Sequence, residues 1–182
     1  MPAVVGENAP APADTDDSRA LQELYASHAE AITRRLAHMT GDPDLARDIT
    51  QDAFVTAMAR LGRFRGDSNI STWLHGIAYN HLRDRRKRKR RELSMWQRLR
   101  HRRGEALQPD QAVESKQDLA RLQTIVAALD DDKRDAFVLR VIEKLSLEES
   151  AQILGARVAT VSYRARKAEA LVRAAFEKGA ES

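Results

Sequence analysis

From Arg83 to Arg91 the chain reads RDRRKRKRR, so eight of nine residues carry a guanidinium or ammonium group. Like charges three and four apart on a helix repel each other, a cost that a bound anion would offset, although shorter basic runs are commonly solvated faces or linkers. The chemistry it offers is a dense set of charge-assisted hydrogen bonds to a polyanion. The formal charge of the 182-residue chain is only +4. Between Arg83 and Arg103, however, twelve Lys/Arg stand against two acids, while nineteen basic and twenty-five acidic residues make up the rest. A mildly acidic chain with one intense basic block implies a polyanion docking at one place. Nucleic acid is the first reading of that pattern, and an acidic protein surface the second.

A second cationic set lies in LSLEESAQILGARVATVSYRARKAEALVRAAF (Leu145 to Phe176). Ser146 and Glu149 have the spacing of a capping box, so a short helix begins there and ends at Gly155. A longer helix opens around Val158 to Thr160, with Val161, Ala165, Ala168, Leu171 or Val172, and Ala175 turned inward. Its outward residues are then Arg157, Thr160, Ser162, Tyr163, Arg164, Arg166 and Lys167. A small residue at Ala151 followed by Gly155 and Val161 is the spacing of a helix-turn-helix, in which the second helix enters a major groove. Arg can pair bidentately with guanine, and Thr or Ser can reach base edges or phosphate.

Other chemistry has little support. Cysteine is absent, which removes disulfides, thiolate ligands and thiol nucleophiles. The five histidines are scattered without metal-ligand spacing, and there is no Gly-rich phosphate loop. An enzyme is therefore not expected, nor a cofactor or metal. No apolar run approaches the about 20 residues of a membrane span. The first 17 residues, MPAVVGENAPAPADTDD, lack the basic start and apolar core of a signal peptide and suggest a disordered tail. The expected location is cytoplasmic.

Positioning these groups requires helices nearly throughout, because apolar residues recur at helical spacing and no strand-like alternation appears. The first helix spans about Ser18 to Thr40, with Leu21, Leu24, Tyr25, His28, Ile32, Leu36 and Met39 on one stripe. Asp42 caps the next and Pro43 takes its first position. That helix runs to about Leu61, with Leu45, Ile49, Ala53, Phe54, Ala57, Met58 and Leu61 inward. A third starts near Ser71 and carries Trp73, Leu74, Ile77, Ala78, His81 and Leu82 inward before entering the basic block. Periodicity then fails between about Glu92 and Glu114, although Trp96 and Leu99 leave room for a short helix. Beyond it, Leu119, Leu122, Ile125, Val126 and Leu129 line one helix, and Phe137, Val138, Val141 and Ile142 the next. The expected fold is all-α: two small helical domains, 18–91 and 115–177, joined by a flexible linker over 92–114, with tails at 1–17 and 178–182.

Three stretches together resemble the extracytoplasmic-function group of bacterial RNA polymerase sigma factors, in the sigma-70 family, over residues 20 to 177. ARDITQDAFV (Ala46 to Val55) is similar to region 2.2. FRGDSNISTWLHGIAYNHLRDRRKR (Phe64 to Arg88) is similar to regions 2.3 and 2.4. LSLEESAQILGARVATVSYRARKA (Leu145 to Ala168) is similar to region 4.2. The resemblance implies that Asp48, Gln51 and Asp52 contact a coiled coil of the polymerase beta-prime subunit. It assigns −10 promoter DNA to Phe64, Arg65, Asn69, Asn80, Arg83, Asp84, Lys87 and Arg88, and the −35 element to the outward residues of the last helix. It implies promoter-directed transcription initiation, with core polymerase (beta-prime coiled coil and beta flap), promoter DNA and an anti-sigma factor as partners. Trp73 is either a core anchor or a stacking platform, with the core favoured.

The chain departs from the family pattern in four places, one being a basic block longer than usual. Leu129-Asp130-Asp131-Asp132 replaces the usual Leu-Pro, and Asp131 or Asp132 is expected to cap the following helix. Ser150 puts a hydroxyl where isoleucine usually packs. Tyr163 alters the usual −35 reading sequence. Two other functions compete with the sigma reading. One is a two-domain helix-turn-helix regulator that never engages polymerase, which leaves the Asp48-x-x-Gln51-Asp52 face unexplained. The other is a helical interaction module whose basic segment docks an acidic protein.

Overall fold

The computed structural model describes residues 15–100 and 117–178, all of whose regular elements are helical. Helix α1 (Thr15–Thr40) ends at Gly41, whose positive φ of 70° lets the chain reverse. The Asp42 carboxylate then accepts the backbone N–H groups of Asp44 and Leu45, each at 3.0 Å, and Pro43 starts α2 (Pro43–Arg60). A 3₁₀ turn (Leu61–Arg63) leads to a loop in which Asn69 Oδ1 accepts the Ser71 N–H at 2.9 Å. Helix α3 (Ile70–Arg100) runs straight through the basic block, nine residues past the expected end at 91. Good helix formers carry it where the apolar stripe has stopped. Of the expected linker, residues 101–114 lie outside the described residues, as do 1–14 and 179–182 of the expected tails; α1 begins at Thr15, three residues before the expected start at Ser18.

The C-terminal unit comprises α4 (Gln117–Ala128), α5 (Asp131–Phe137), α6 (Leu147–Leu154) and α7 (Val158–Lys178). Asp130, not Asp131 or Asp132, caps α5, because its side chain alone accepts the Lys133 N–H. Directly after α5, Val138–Ile142 form a π-helical turn. The wider turn rotates the following side chains, so Val141 and Ile142 are exposed where an inward stripe was expected, and Leu139 is buried instead. The capping box at Ser146 and Glu149 forms as expected. Ser150 is fully buried yet satisfied, its hydroxyl donating to the Ser146 carbonyl at 2.8 Å.

Most of the expected core forms. Ile32, Leu36, Met39, Ile49, Phe54, Leu74, Ile77 and Leu82 are buried, as are Val126, Leu129, Val161, Ala168 and Val172. Besides Val141 and Ile142, Tyr25 and Met58 are exposed where inward positions were expected, and of the alternatives Leu171 or Val172 it is Val172 that packs. Tyr25 still lies edge-on to Phe54, with centroids 4.7 Å apart. The two helical units pack against each other. Ala136, Val138, Leu139, Ala151, Ile153, Leu154, Val161 and Ala165 from the C-terminal unit belong to one continuous core with α1, α2 and α3, and α6 packs across α3. A smaller cluster around Val126, Phe137 and Val172 closes the C-terminal unit internally.

Candidate nucleic-acid interface

Helix α3 sorts its basic block by direction. Asn80, Arg83, Asp84, Lys87 and Arg88 are exposed along one side, as the helical spacing predicts. Asp84 and Lys87 form a long ion pair at 3.8 Å. Arg85 turns toward α2 and donates to Asp52 at 2.6 Å. Arg86, four residues beyond the buried Leu82 on the inward stripe, points into the junction between the units. There it donates to Asp135 Oδ2 at 2.6 Å and to the Met39 carbonyl at 2.9 Å. Met39 ends the inward stripe of α1, and its carbonyl also accepts Arg134 at 3.2 Å. Arg134 further donates to the carbonyls of Val126, Ala127 and Leu129, fastening the end of α4.

The Arg86–Asp135 pair governs the electrostatics of this junction. Asp135 is 0% exposed and its Oδ1 has no hydrogen-bond partner. Burial pushes its carboxyl above the usual carboxylate range, against the pull of Arg86. Burial works against the Arg86 charge too, but Asp135 and Asp131 outweigh it and hold the guanidinium above its ordinary value. The nearby Tyr79 hydroxyl is pushed up by burial and by the Asp135 charge. A second polar contact joins the units at Glu143, which accepts Arg35 at 3.2 Å and faces His38 Nδ1 at 3.2 Å. Sequence reasoning missed Arg86, Asp135, Arg35 and Glu143. The one available signal was the register of Leu74, Ala78 and Leu82, which points Arg86 inward and so demands a buried carboxylate.

The loop residues divide as well. Arg65 and Asn69 are exposed, and Asn69 is also occupied in capping α3. Phe64 packs against Trp73 with ring centroids 5.1 Å apart, and Trp73 in turn packs on the core, consistent with the anchor reading. On α2, Asp48, Gln51, Asp52 and Val55 form one outward stripe. Val55 is 64% exposed, and the Asp52 carboxylate is the one tied to Arg85.

In the C-terminal unit, α6 ends on Gly155 in the left-handed region, φ 58°, and α7 begins three residues later. Arg157, Tyr163, Arg166 and Lys167 are exposed on α7 or just before it, and Thr160, Ser162 and Arg164 are half-buried. Lys167 lies over the Tyr163 ring, 5.9 Å from its centroid. Arg164 pairs with Asp132 of α5. Arg83 of α3 and Arg157, Thr160 and Arg164 beside or on α7 line one cleft between the units, with Asp132 among them. The expected −10 and −35 sets therefore meet at a shared edge. Among the described residues no group of three or more His, Asp or Glu could hold a metal ion. None of the described helices is long and apolar enough to cross a membrane.

Comparison with known proteins agrees with this layout. Residues 24–92 match the profile of Sigma-70 region 2, and residues 119–172 that of Sigma-70, region 4. The chain is 33% identical over 153 residues to the RNA polymerase sigma factor YlaC of Bacillus subtilis, covering 80% of this chain and 87% of YlaC. It is 30% identical to the ECF RNA polymerase sigma factor SigC of Mycobacterium tuberculosis, over 84% of this chain and 80% of SigC. Among solved structures it is similar to CnrH of Cupriavidus metallidurans, in complex with the cytosolic domain of CnrY. That likeness has a TM-score of 0.61 and 27% identity, over 88% of this chain and 90% of CnrH. With both regions matched in order and close relatives aligned along most of its length, the chain belongs to the sigma-70 family of RNA polymerase sigma factors, in its extracytoplasmic-function group.

Proposed function

We propose that this chain binds core RNA polymerase and directs it to promoters, reading the −10 element with α3 and the preceding loop and the −35 element with α7. The observation that carries this reading is the presence of two chemically different faces on one small chain. The outward stripe of α2 combines Asp48, Gln51 and Asp52 with exposed Val55. An acidic stripe that ends on an exposed apolar residue suits a protein partner and repels DNA. The exposed cations of α3 and α7 suit phosphate and base edges. A regulator that never engages polymerase needs only the second face.

In this mechanism the protein breaks no covalent bond. On α3, Lys87, Arg88 and Arg83 supply phosphate contacts that anchor the strand, while Asn80 and the Phe64 to Asn69 loop face an unstacked base. Opening DNA costs a few kcal/mol per unstacked step, which dense phosphate contacts offset. On α7, Arg157, Thr160, Tyr163, Arg166 and Lys167 face the duplex, with Ser162 and Arg164 at its edge. The helix-turn-helix pair α6–α7 presents them in the major groove. An anti-sigma protein covering the polymerase-binding faces holds the chain in reserve. The relative CnrH, solved with the cytosolic domain of CnrY, is in keeping with such a holder.

The test is run-off transcription by purified core polymerase on a genomic fragment library, with and without this protein. Discrete starts that need the protein, and weaken with Asp48→Ala or Gln51→Ala, are the expected result. Duplex binding without any starts would refute the polymerase role and leave a plain DNA-binding regulator.

A further inference from the structure

The first turns of α5 gather an unusual number of arginines. Asp131 accepts Arg90 at 2.8 Å and lies 3.5 Å from Arg86 Nε; Asp135 accepts Arg86; Asp132 accepts Arg164. Asp130 already caps the helix, so Asp131 and Asp132 are not needed for that task. The helix dipole favours acids in a first turn, but it does not explain why Asp131, Asp132 and Asp135 each hold an arginine of another helix, Asp131 in addition to Arg134 of its own. Those arginines come from α3 and α7, the two elements whose exposed cations are assigned above to DNA; Arg164 belongs to that set, and Arg86 and Arg90 flank it on α3.

Carboxylate and phosphate oxygens satisfy a guanidinium by the same charge-assisted hydrogen bonds. We propose that the acidic start of α5 is an intramolecular substitute for DNA phosphate, occupying Arg86, Arg90 and Arg164 in the free chain and displaced when DNA takes them. The inference rests on the DNA-binding role proposed above. It has two tiers. Arg90–Asp131 and Arg164–Asp132 are partly exposed, so they are individually weak and yield first. Arg86–Asp135 is buried, with side-chain exposures of 14% and 1%, and it parts only when α5 leaves α3. Asp132 also shares the cleft with Arg83, Arg157 and Thr160, so a phosphate entering there meets a carboxylate already in place. The chain thereby resists unspecific DNA while it is alone.

The test uses the full chain without polymerase, a mixed-sequence duplex of about 30 base pairs, and fluorescence anisotropy across a range of KCl. Wild type is compared with Asp131→Asn/Asp132→Asn and with a control of equal charge change, Glu23→Gln/Asp44→Asn, whose carboxylates pair with Arg19 and Arg47 instead. The expected result is about tenfold tighter binding by the α5 variant than by the control. The gap should narrow as KCl rises, because salt weakens the exposed Asp131 and Asp132 pairs that hold the wild-type arginines back. Equal affinity and slope in the two variants overturn the substitution by α5 while leaving the DNA role standing. No binding by any of the three chains at low salt overturns both, because the arginines are then not DNA ligands.

Discussion

His75 of α3 is 5% exposed at the junction of the two units, and its protonation can be weighed directly. Its Nδ1 donates to the Ser71 carbonyl at 2.7 Å, which leaves Nε2 as the site for a second proton. That atom is buried with no partner, and His75 lines a small cavity with Ile32, Leu36, Met39, Ala78 and Ile153 and with the polar Arg35 and Tyr79. Burial first, then the nearby Arg35 charge, push the imidazole down to about 4; His28 adds to this, while Glu143 and the Ser71 carbonyl oppose it. The unfolded chain titrates near 6.5, so it takes up the proton first as pH falls. The native state therefore loses stability from about pH 6.5 downward, and this loss levels off once the folded imidazole also titrates near 4. At about 1.4 kcal/mol per pH unit, His75 alone removes ~3 kcal/mol over that window and ~2 kcal/mol between pH 7 and pH 5.

The perturbation is His75→Leu, which fills similar space without a titrating group. Urea unfolding at pH 7 and pH 5 gives two stabilities for each protein, and the difference between them is the quantity compared. Wild type should lose ~2 kcal/mol more than the variant, whatever the variant's absolute stability, because the other titrating groups are common to both. Equal losses in the two proteins would refute the claim that a neutral, buried imidazole stands at the junction.

Arg86→Ala strands the buried Asp135 carboxylate without its cation, so it should cost about 3–5 kcal/mol in urea unfolding, whereas Arg86→Met with Asp135→Leu should be near neutral. Leu139→Ala removes a side chain that is 0% exposed and should cost about 2–5 kcal/mol, while Val141→Ala, two residues away but outside the core, should stay within about 0.5 kcal/mol. Comparable effects at 139 and 141 would contradict the π-helical turn between α5 and α6.

Much of this was legible in the residues. Asp42, Pro43, Ser146, Glu149 and Gly155 mark helix ends because caps act through backbone groups two or three residues away, an interaction that needs no distant partner. The inward stripes of α2, α3 and α7 were legible for the same reason: helical period alone decides which side chains share a face. Where the reading failed, a non-local term had won. Val141 and Ile142 turned outward because packing against α1 and α6 stabilises a wider turn than the ideal period assumes. Met58 lost its inward place because Ala53, Phe54 and Ala57 already fill the face of α2 that meets α1 and α3. Asp130 took the cap from its two neighbours, which left them free for Arg90 and Arg164.

By itself, the sequence determined the all-helical class, the order of the two units, the family, and most of the residues that stand outward on α2 and α3. These follow from local periodicity, capping and motif spacing. Only the tertiary structure decided that the two units share a core, that Arg86 leaves the basic wall to meet Asp135, and that the arginines of both units converge on α5. The reason is physical: a charge pattern along a chain states what each residue can bind, but ion pairs between residues 86 and 135 or 35 and 143 exist only once long-range apolar packing has brought α3 and α1 against the C-terminal unit.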